Sequence, residues 1–165
     1  MTSTWDFAEL MEGAYGFLPN DRTHQIKAYG YYQLTPEWGF GANAMIESGR
    51  PKNCFGDYAG SGTDIGAGSY GAVFFYCDGK PSPRGSAGRL PWNYSLDLSA
   101  SYKPEYVKGL GLRVDVFNVF NRQVAQVVNE EHDSLAYYGG NNPTYGRVIN
   151  YSSPRTVRLS AQYDF

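Results

Sequence analysis

Residues 155–165, Arg-Thr-Val-Arg-Leu-Ser-Ala-Gln-Tyr-Asp-Phe, alternate apolar and polar side chains without a break. Val157, Leu159, Ala161, Tyr163 and Phe165 fall on one side; Thr156, Arg158, Ser160, Gln162 and Asp164 fall on the other. Successive side chains of a strand point to opposite faces, so the pattern specifies a strand with one apolar and one polar surface. The alternation recurs at 92–102, where Trp92, Tyr94, Leu96, Leu98, Ala100 and Tyr102 oppose Asn93, Ser95, Asp97, Ser99 and Ser101. At 38–47, Trp38, Phe40, Ala42, Ala44 and Ile46 oppose Gly39, Gly41, Asn43, Met45 and Glu47. At 24–34, Ile26, Ala28, Tyr32 and Leu34 oppose Gln25, Lys27 and Gln33, with Tyr29 and Tyr31 blurring the pattern. At 110–116, Leu110, Leu112, Val114 and Val116 oppose Gly111, Arg113 and Asp115, and the phase slips at Phe117-Asn118, a bulge or a strand end. Residues 5–13 are expected to add a sixth strand.

A strand of about 11 residues rises roughly 36 Å and, tilted near 45°, covers about 25 Å of height. That height matches the lipid-facing band of an outer-membrane barrel, whereas strands of soluble sheets are usually about half as long. Aromatic residues at both ends of the apolar rows fit the girdles of such a barrel. A soluble antiparallel sheet with one wet face would show the same alternation. Composition narrows the field. Of the 165 residues 42% are hydrophobic and 16% aromatic, with 15 Tyr and 20 Gly, which argues against disorder and against a coiled coil. No run approaches the roughly 20 apolar residues of a membrane-spanning helix. A formal net charge of -2 gives no electrostatic case for nucleic acid as a partner.

The segments between the strands alternate in length. Leu34 to Trp38 and Lys103 to Gly109 are tight turns, while 48–91 and 121–154 are long and rich in Gly, Asn, Pro and Tyr. Outer-membrane barrels have short periplasmic turns and long outer loops, and counting back from a periplasmic end at Phe165 puts each connection on the appropriate side. Several motifs then join this pattern. Leu18 to Lys27, Glu47-Ser48-Gly49-Arg50-Pro51, Gly111 to Asn121, and Ser153 through Leu159 with Tyr163-Asp164-Phe165 resemble the late strands of TonB-dependent outer-membrane receptors. Pro83-Arg84-Gly85 and Gly88-Arg89-Leu90-Pro91 are similar to the Oar-like branch of that family.

The resemblance implies an all-β fold: an antiparallel transmembrane β-barrel segment, about six strands of a barrel of about 22, with long outer loops. Six strands cannot close such a barrel, so residues 1–165 are expected to be the C-terminal part of a receptor barrel domain, without plug, TonB box or signal peptide. Met1 to Asp6 carries neither a basic nor an apolar leader region, so export is expected to belong to the parent, in the cell outer membrane of a Gram-negative bacterium. The implied partners are outer-membrane lipid, the barrel-assembly machinery, the remaining receptor with its plug, and TonB through the parent. The resemblance assigns the assembly signal to Leu159, Ala161, Tyr163 and Phe165, with simple lipid-facing residues as the alternative. Asp97, Arg113, Asp115 and Arg158 are the lumen-facing candidates.

Cys54 and Cys77 lie in one long Gly-rich segment. Facing an oxidising space they would form a disulfide; otherwise they are two unrelated thiols. No metal spacing, cofactor motif or catalytic constellation is recognised, and no enzyme is expected. Gly66 to Val73 matches G-x-G-x-x-G-x-V but lacks the strand and helix that a nucleotide loop requires. Asn93-Tyr94-Ser95 and Asn150-Tyr151-Ser152 are sequons without relevance in a bacterial protein. Glu130, Glu131 and Asp133 beside His132 are more simply a solvated face than a cation site. Tyr58, Tyr70, Phe74, Phe75, Tyr76, Tyr137, Tyr138 and Tyr145 would form either a ligand-capturing surface or a packed layer between loops. Three functions follow. The first is a fragment of a receptor taking up a solute. The second is a small outer-membrane structural or adhesin β protein, and the third a soluble carbohydrate-binding β-sandwich.

Overall fold

A computed structural model describes residues 5–58 and 72–165. The elements run β1 (Gln25–Gln33), β2 (Trp38–Glu47), β3 (Tyr76–Cys77), β4 (Lys80–Pro81), β5 (Asn93–Tyr102), β6 (Leu110–Phe117), β7 (Ala125–Val128), β8 (Asp133–Ser134), the one-turn helix α1 (Leu135–Tyr138), β9 (Gly140–Asn141), β10 (Val148–Tyr151) and β11 (Thr156–Tyr163). Five of the six expected segments are strands. The chain divides into two compact units. One comprises Thr23–Ser48, Trp92–Val124 and Ser152–Phe165; the other comprises Met1–Arg22, Gly49–Pro91 and Ala125–Tyr151.

The first unit is a five-stranded antiparallel sheet in the order β1-β2-β5-β6-β11. Its register aligns like with like across all five strands. Gly30, Ala42, Leu98, Val116 and Val157 form one row, and Tyr32, Phe40, Ala100, Val114 and Leu159 form the next. On the other face, Tyr31, Gly41, Ser99, Asp115 and Arg158 run between these rows, and Gln33, Gly39, Ser101, Arg113 and Ser160 run beyond the second. A one-residue slip of any strand would exchange its faces, so this agreement fixes the register. Tyr29 and Tyr31 belong to the polar face. The Tyr31 hydroxyl donates to Gln33 Oε1 at 2.7 Å and lies over Gly39, where a Cβ would collide with it. A glycine at the start of β2 thus gives an aromatic ring its seat.

Among the described residues, nothing covers the apolar face. Leu98, Leu112 and Val114 are 40–42% exposed, Ile26 62%, Tyr32 66% and Leu159 76%. The sheet is open among the described residues, and β1 and β11 are its edges. The slip of phase after Val116 is a strand end: β6 stops at Phe117, and Asn118 takes a left-handed φ of 50°.

The expected sixth strand at 5–13 is not formed. Ala8–Met11 is a 3-10 helix, with Leu10 fully buried. Ala, Glu, Leu and Met favour helix, and three residues per turn bring Phe7 and Leu10 to one side, where they pack with Phe74 and Tyr76. That cluster belongs to the second unit, which the long segments build with the N-terminal residues. The segments expected as plain loops carry short antiparallel pairs: β3 with β4, β7 with β10, and β8 with β9. Among the described residues, no helix is long and apolar enough to cross a membrane.

Candidate functional site

On the polar face of the sheet, β6 and β11 bring three of the four expected lumen-facing residues together. Asp115 is buried at 3% exposure. Arg158 donates to its Oδ2 through Nε and Nη2 at 3.1 and 2.9 Å, and Arg113 donates to its Oδ1 through Nε at 2.8 Å. Two guanidinium groups on one carboxylate leave a net positive charge, and the Arg113 and Arg158 side chains remain 53% and 60% exposed. Asp97, on the same face of β5, holds the end of β6: its Oδ1 accepts the Asn118 backbone N–H at 2.9 Å. Asp97 and Asn118 border a cavity of about 530 Å³ with Asn93, Ser95, Arg122 and Thr156. Nearer the end of β2, Glu47 is buried and accepts from Gln25 and Asn93, each at 3.3 Å. The first sequon asparagine therefore stands inside a strand.

Leu159 and Ala161 lie on the apolar face of the edge strand β11 with Tyr163, and Phe165 follows fully exposed. Opposite their inner neighbours Val114, Leu112 and Leu110, the outer edge of β11 has no partner strand among the described residues.

In the second unit, Cys54 and Cys77 are joined by a disulfide, with Cα atoms 5.5 Å apart. The acidic run expected as a solvated face separates into three roles. Glu130 pairs with Arg50 at 2.7 Å and accepts from Asn53 at 2.8 Å. Glu131 accepts the Tyr138 hydroxyl at 2.8 Å. Asp133 accepts the backbone N–H groups of Asp57 and Asp78, at 3.2 and 3.1 Å, and faces His132 Nδ1 at 3.0 Å. Asp78, His132 and Asp133 bring potential metal-ligating atoms within 4.8 Å of one another. Each Asp133 oxygen accepts a loop backbone N–H, which makes the residue a tie between loops.

The aromatic residues divide in the same way. Phe74, Phe75 and Tyr76 are buried, and Tyr58 meets Tyr76 edge-on at 5.2 Å. Tyr137, Tyr138 and Tyr145 are exposed, while Tyr70 and residues 66–71 of the glycine motif lie outside the described residues. Burial, followed by the charge of Glu12, raises the Tyr76 pKa above its ordinary value; its hydroxyl donates to the Glu9 carbonyl at 2.7 Å. The hydrogen bond to Glu131 raises Tyr138, and burial raises Tyr145. Arg84, whose guanidinium stacks 4.7 Å above Phe75, borders a cavity of about 320 Å³ with Phe55, Phe74 and Met11. Arg50 and Arg84 stand in the resemblance motifs Gly49-Arg50-Pro51 and Pro83-Arg84-Gly85, yet nothing local to those motifs indicates their partners.

Sheet and side chains together define an all-β protein with one bare apolar face and one charged polar face. Over an alignment of 202 residues covering 99% of the chain, it is 26% identical to the TonB-dependent transporter Oar of Myxococcus xanthus. The chain spans 18% of the length of that curated relative, so the likeness is to part of a much longer protein. No family model matches the chain, and no solved structure does.

Proposed function

We propose that residues 1–165 are the C-terminal part of the β-barrel domain of a TonB-dependent outer-membrane receptor, which takes up a solute across the outer membrane. The observation that carries this reading is the apolar face: rows continuous over five strands, each residue exposed or half-exposed, and backed by a polar face. Lipid is the solvent that suits such a surface, since an antiparallel sheet in water buries its apolar side. The likeness to part of a TonB-dependent transporter supports the choice of membrane protein. The two open edges support a larger barrel, because each unpaired backbone group in hydrocarbon costs several kcal/mol.

In this reading β1 and β11 pair with further strands of the parent, whose plug and TonB box lie elsewhere. Asp97, Arg113, Asp115 and Arg158 face the lumen, toward the plug or the solute path. Leu159, Ala161, Tyr163 and Phe165 present an alternating edge to the barrel-assembly machinery, which recognises it by strand addition. The chain performs no chemistry of its own and needs no cofactor.

An antiserum against residues 121–154, applied to fractionated cells of the source organism, tests the proposal. The expected antigen resists urea extraction from outer membranes, migrates far above 18.3 kDa and shifts in mobility on boiling. A soluble antigen near 18.3 kDa would overturn it.

A further inference from the structure

The apolar columns of the sheet end differently at their two ends. Where the short turns lie, Trp38 stacks on Tyr102 at 4.4 Å, and Glu37, Glu105 and Asp164 stand among Lys103 and Lys108. Where the long segments leave the sheet, the apolar columns end in aromatics and arginines, with Glu47 on the opposite face. His24 stacks on Trp92 at 5.9 Å, and Phe120 meets Tyr94 edge-on at 6.3 Å. The Arg122 guanidinium lies 4.0 Å above the Tyr94 ring, donating to the Tyr94 hydroxyl at 2.8 Å and to the Trp92 carbonyl at 3.3 Å. The turn that follows β6 fixes this arginine. Asn118 accepts the Arg122 N–H at 3.1 Å and donates to its carbonyl at 3.0 Å. The same turn holds a second arginine, because the Arg155 N–H donates to Asn121 Oδ1 at 3.0 Å. Arg155 is exposed and lies two residues before Val157, in phase with the apolar row.

No carboxylate pairs with either arginine among the described residues. Arg122 Nε is buried without a partner. A cation partly removed from water, without a counter-ion, and seated on aromatic rings at the rim of an apolar face is set to receive an anion. Arginine favours phosphate, whose oxygens accept two parallel N–H donors. Farther along the same face, Leu98, Val116 and Val157 form a row on which acyl chains can lie.

We infer that the long-segment end of the apolar face binds the phosphorylated headgroup of a membrane lipid, with Arg122 and Arg155 on the phosphate and the acyl chains along Leu98, Val116 and Val157. The inference rests on the membrane reading above. It is tested on the outer-membrane product that carries residues 1–165, purified in neutral detergent and titrated with bisphosphorylated lipid A, dephosphorylated lipid A and inorganic phosphate. The phosphorylated lipid is expected to raise the melting midpoint and to bind more tightly than the dephosphorylated one. Arg122→Gln and Arg155→Gln should each weaken it about fivefold, in line with the usual contribution of one basic residue at an anionic membrane surface. Arg155→Gln alters an exposed side chain and keeps the test valid if Arg122→Gln misfolds. Equal binding of the two lipids, or no effect of either variant, overturns the inference. An equal midpoint shift from inorganic phosphate overturns the lipid as ligand. Quenching of Trp92 fluorescence by brominated neutral lipid separates the two levels: quenching without phosphate discrimination sinks only this inference, and no quenching sinks the membrane reading itself.

Discussion

Leu98→Arg is the substitution that divides a lipid-facing sheet from a wet one. Leu98 lies on the apolar face of β5 between Ala42 and Val116, four residues from Tyr94 and four from Tyr102. Four residues rise about 14 Å, or roughly 10 Å of height at a 45° tilt, so Leu98 sits near the middle of the apolar band. An arginine at such a depth costs about 2–4 kcal/mol in an outer-membrane barrel, a factor of roughly 30–700 in the folding equilibrium. At a site already 42% exposed to water the same change would cost no more than about 0.5 kcal/mol. Ser95→Arg, on the polar face of the same strand beside Asp97, supplies the control and is expected to be nearly neutral. Urea titration of the native product folded into phosphatidylcholine vesicles, followed by tryptophan fluorescence, measures both. A difference of at least about 1.5 kcal/mol between the variants is expected from these two costs. Equal midpoints would refute the assignment of the apolar face to lipid.

Asp115→Asn should lower the urea midpoint, because Arg113 and Arg158 would be left facing each other without their carboxylate; adding Arg113→Gln should recover part of the loss, and full additivity of the two changes would deny the coupling. Replacing Cys54 and Cys77 by Ser opens a loop with a sequence separation of 23 and is expected to cost up to about 3 kcal/mol, seen as faster trypsin cleavage in 48–91 without loss of the sheet. The raised Tyr76 pKa has a defined pH consequence. The unfolded chain releases this proton near pH 10 while the folded chain retains it, so stability is complete below about pH 10 and falls as pH rises above it. Tyr76→Phe should flatten that alkaline decline and cost about 1 kcal/mol at neutral pH for the lost bonds to Glu9 and Glu12, readable by hydrogen exchange at Ala8–Met11. An unchanged alkaline slope would remove Tyr76 from the account.

Part of the candidate site was legible before the structure. Asp97, Arg113, Asp115 and Arg158 share a face because strand parity is a local property of the backbone. That Asp115 is buried under two arginines was not legible, since it depends on β11 pairing with β6 so that Arg158 stands opposite Asp115. Residues 5–13 were misread for a related reason. Over a short segment, alternation and a three-residue period compete, and burial of Phe7 and Leu10 against Phe74 and Tyr76 decided for the helix. Glu130 shows the same limit: beside Glu131 it reads as a solvated acidic run, yet Arg50, a sequence separation of 80 away, claims it. Arg122 carried no signal at all, because its place above Tyr94 is set by the Asn118 turn.

The sequence by itself determined where the five long strands lie, which side chains share each face, and that one face is apolar with aromatic ends. Those properties follow from the two-residue period of an extended backbone, which every residue obeys whatever its neighbours do. Only the tertiary structure decided which strands are neighbours, that the long segments form a compact unit stapled by Cys54 and Cys77, and which charges meet. Each of these needs residues far apart in the chain to come together in one register, and the free energy that selects the register belongs to the contacts themselves.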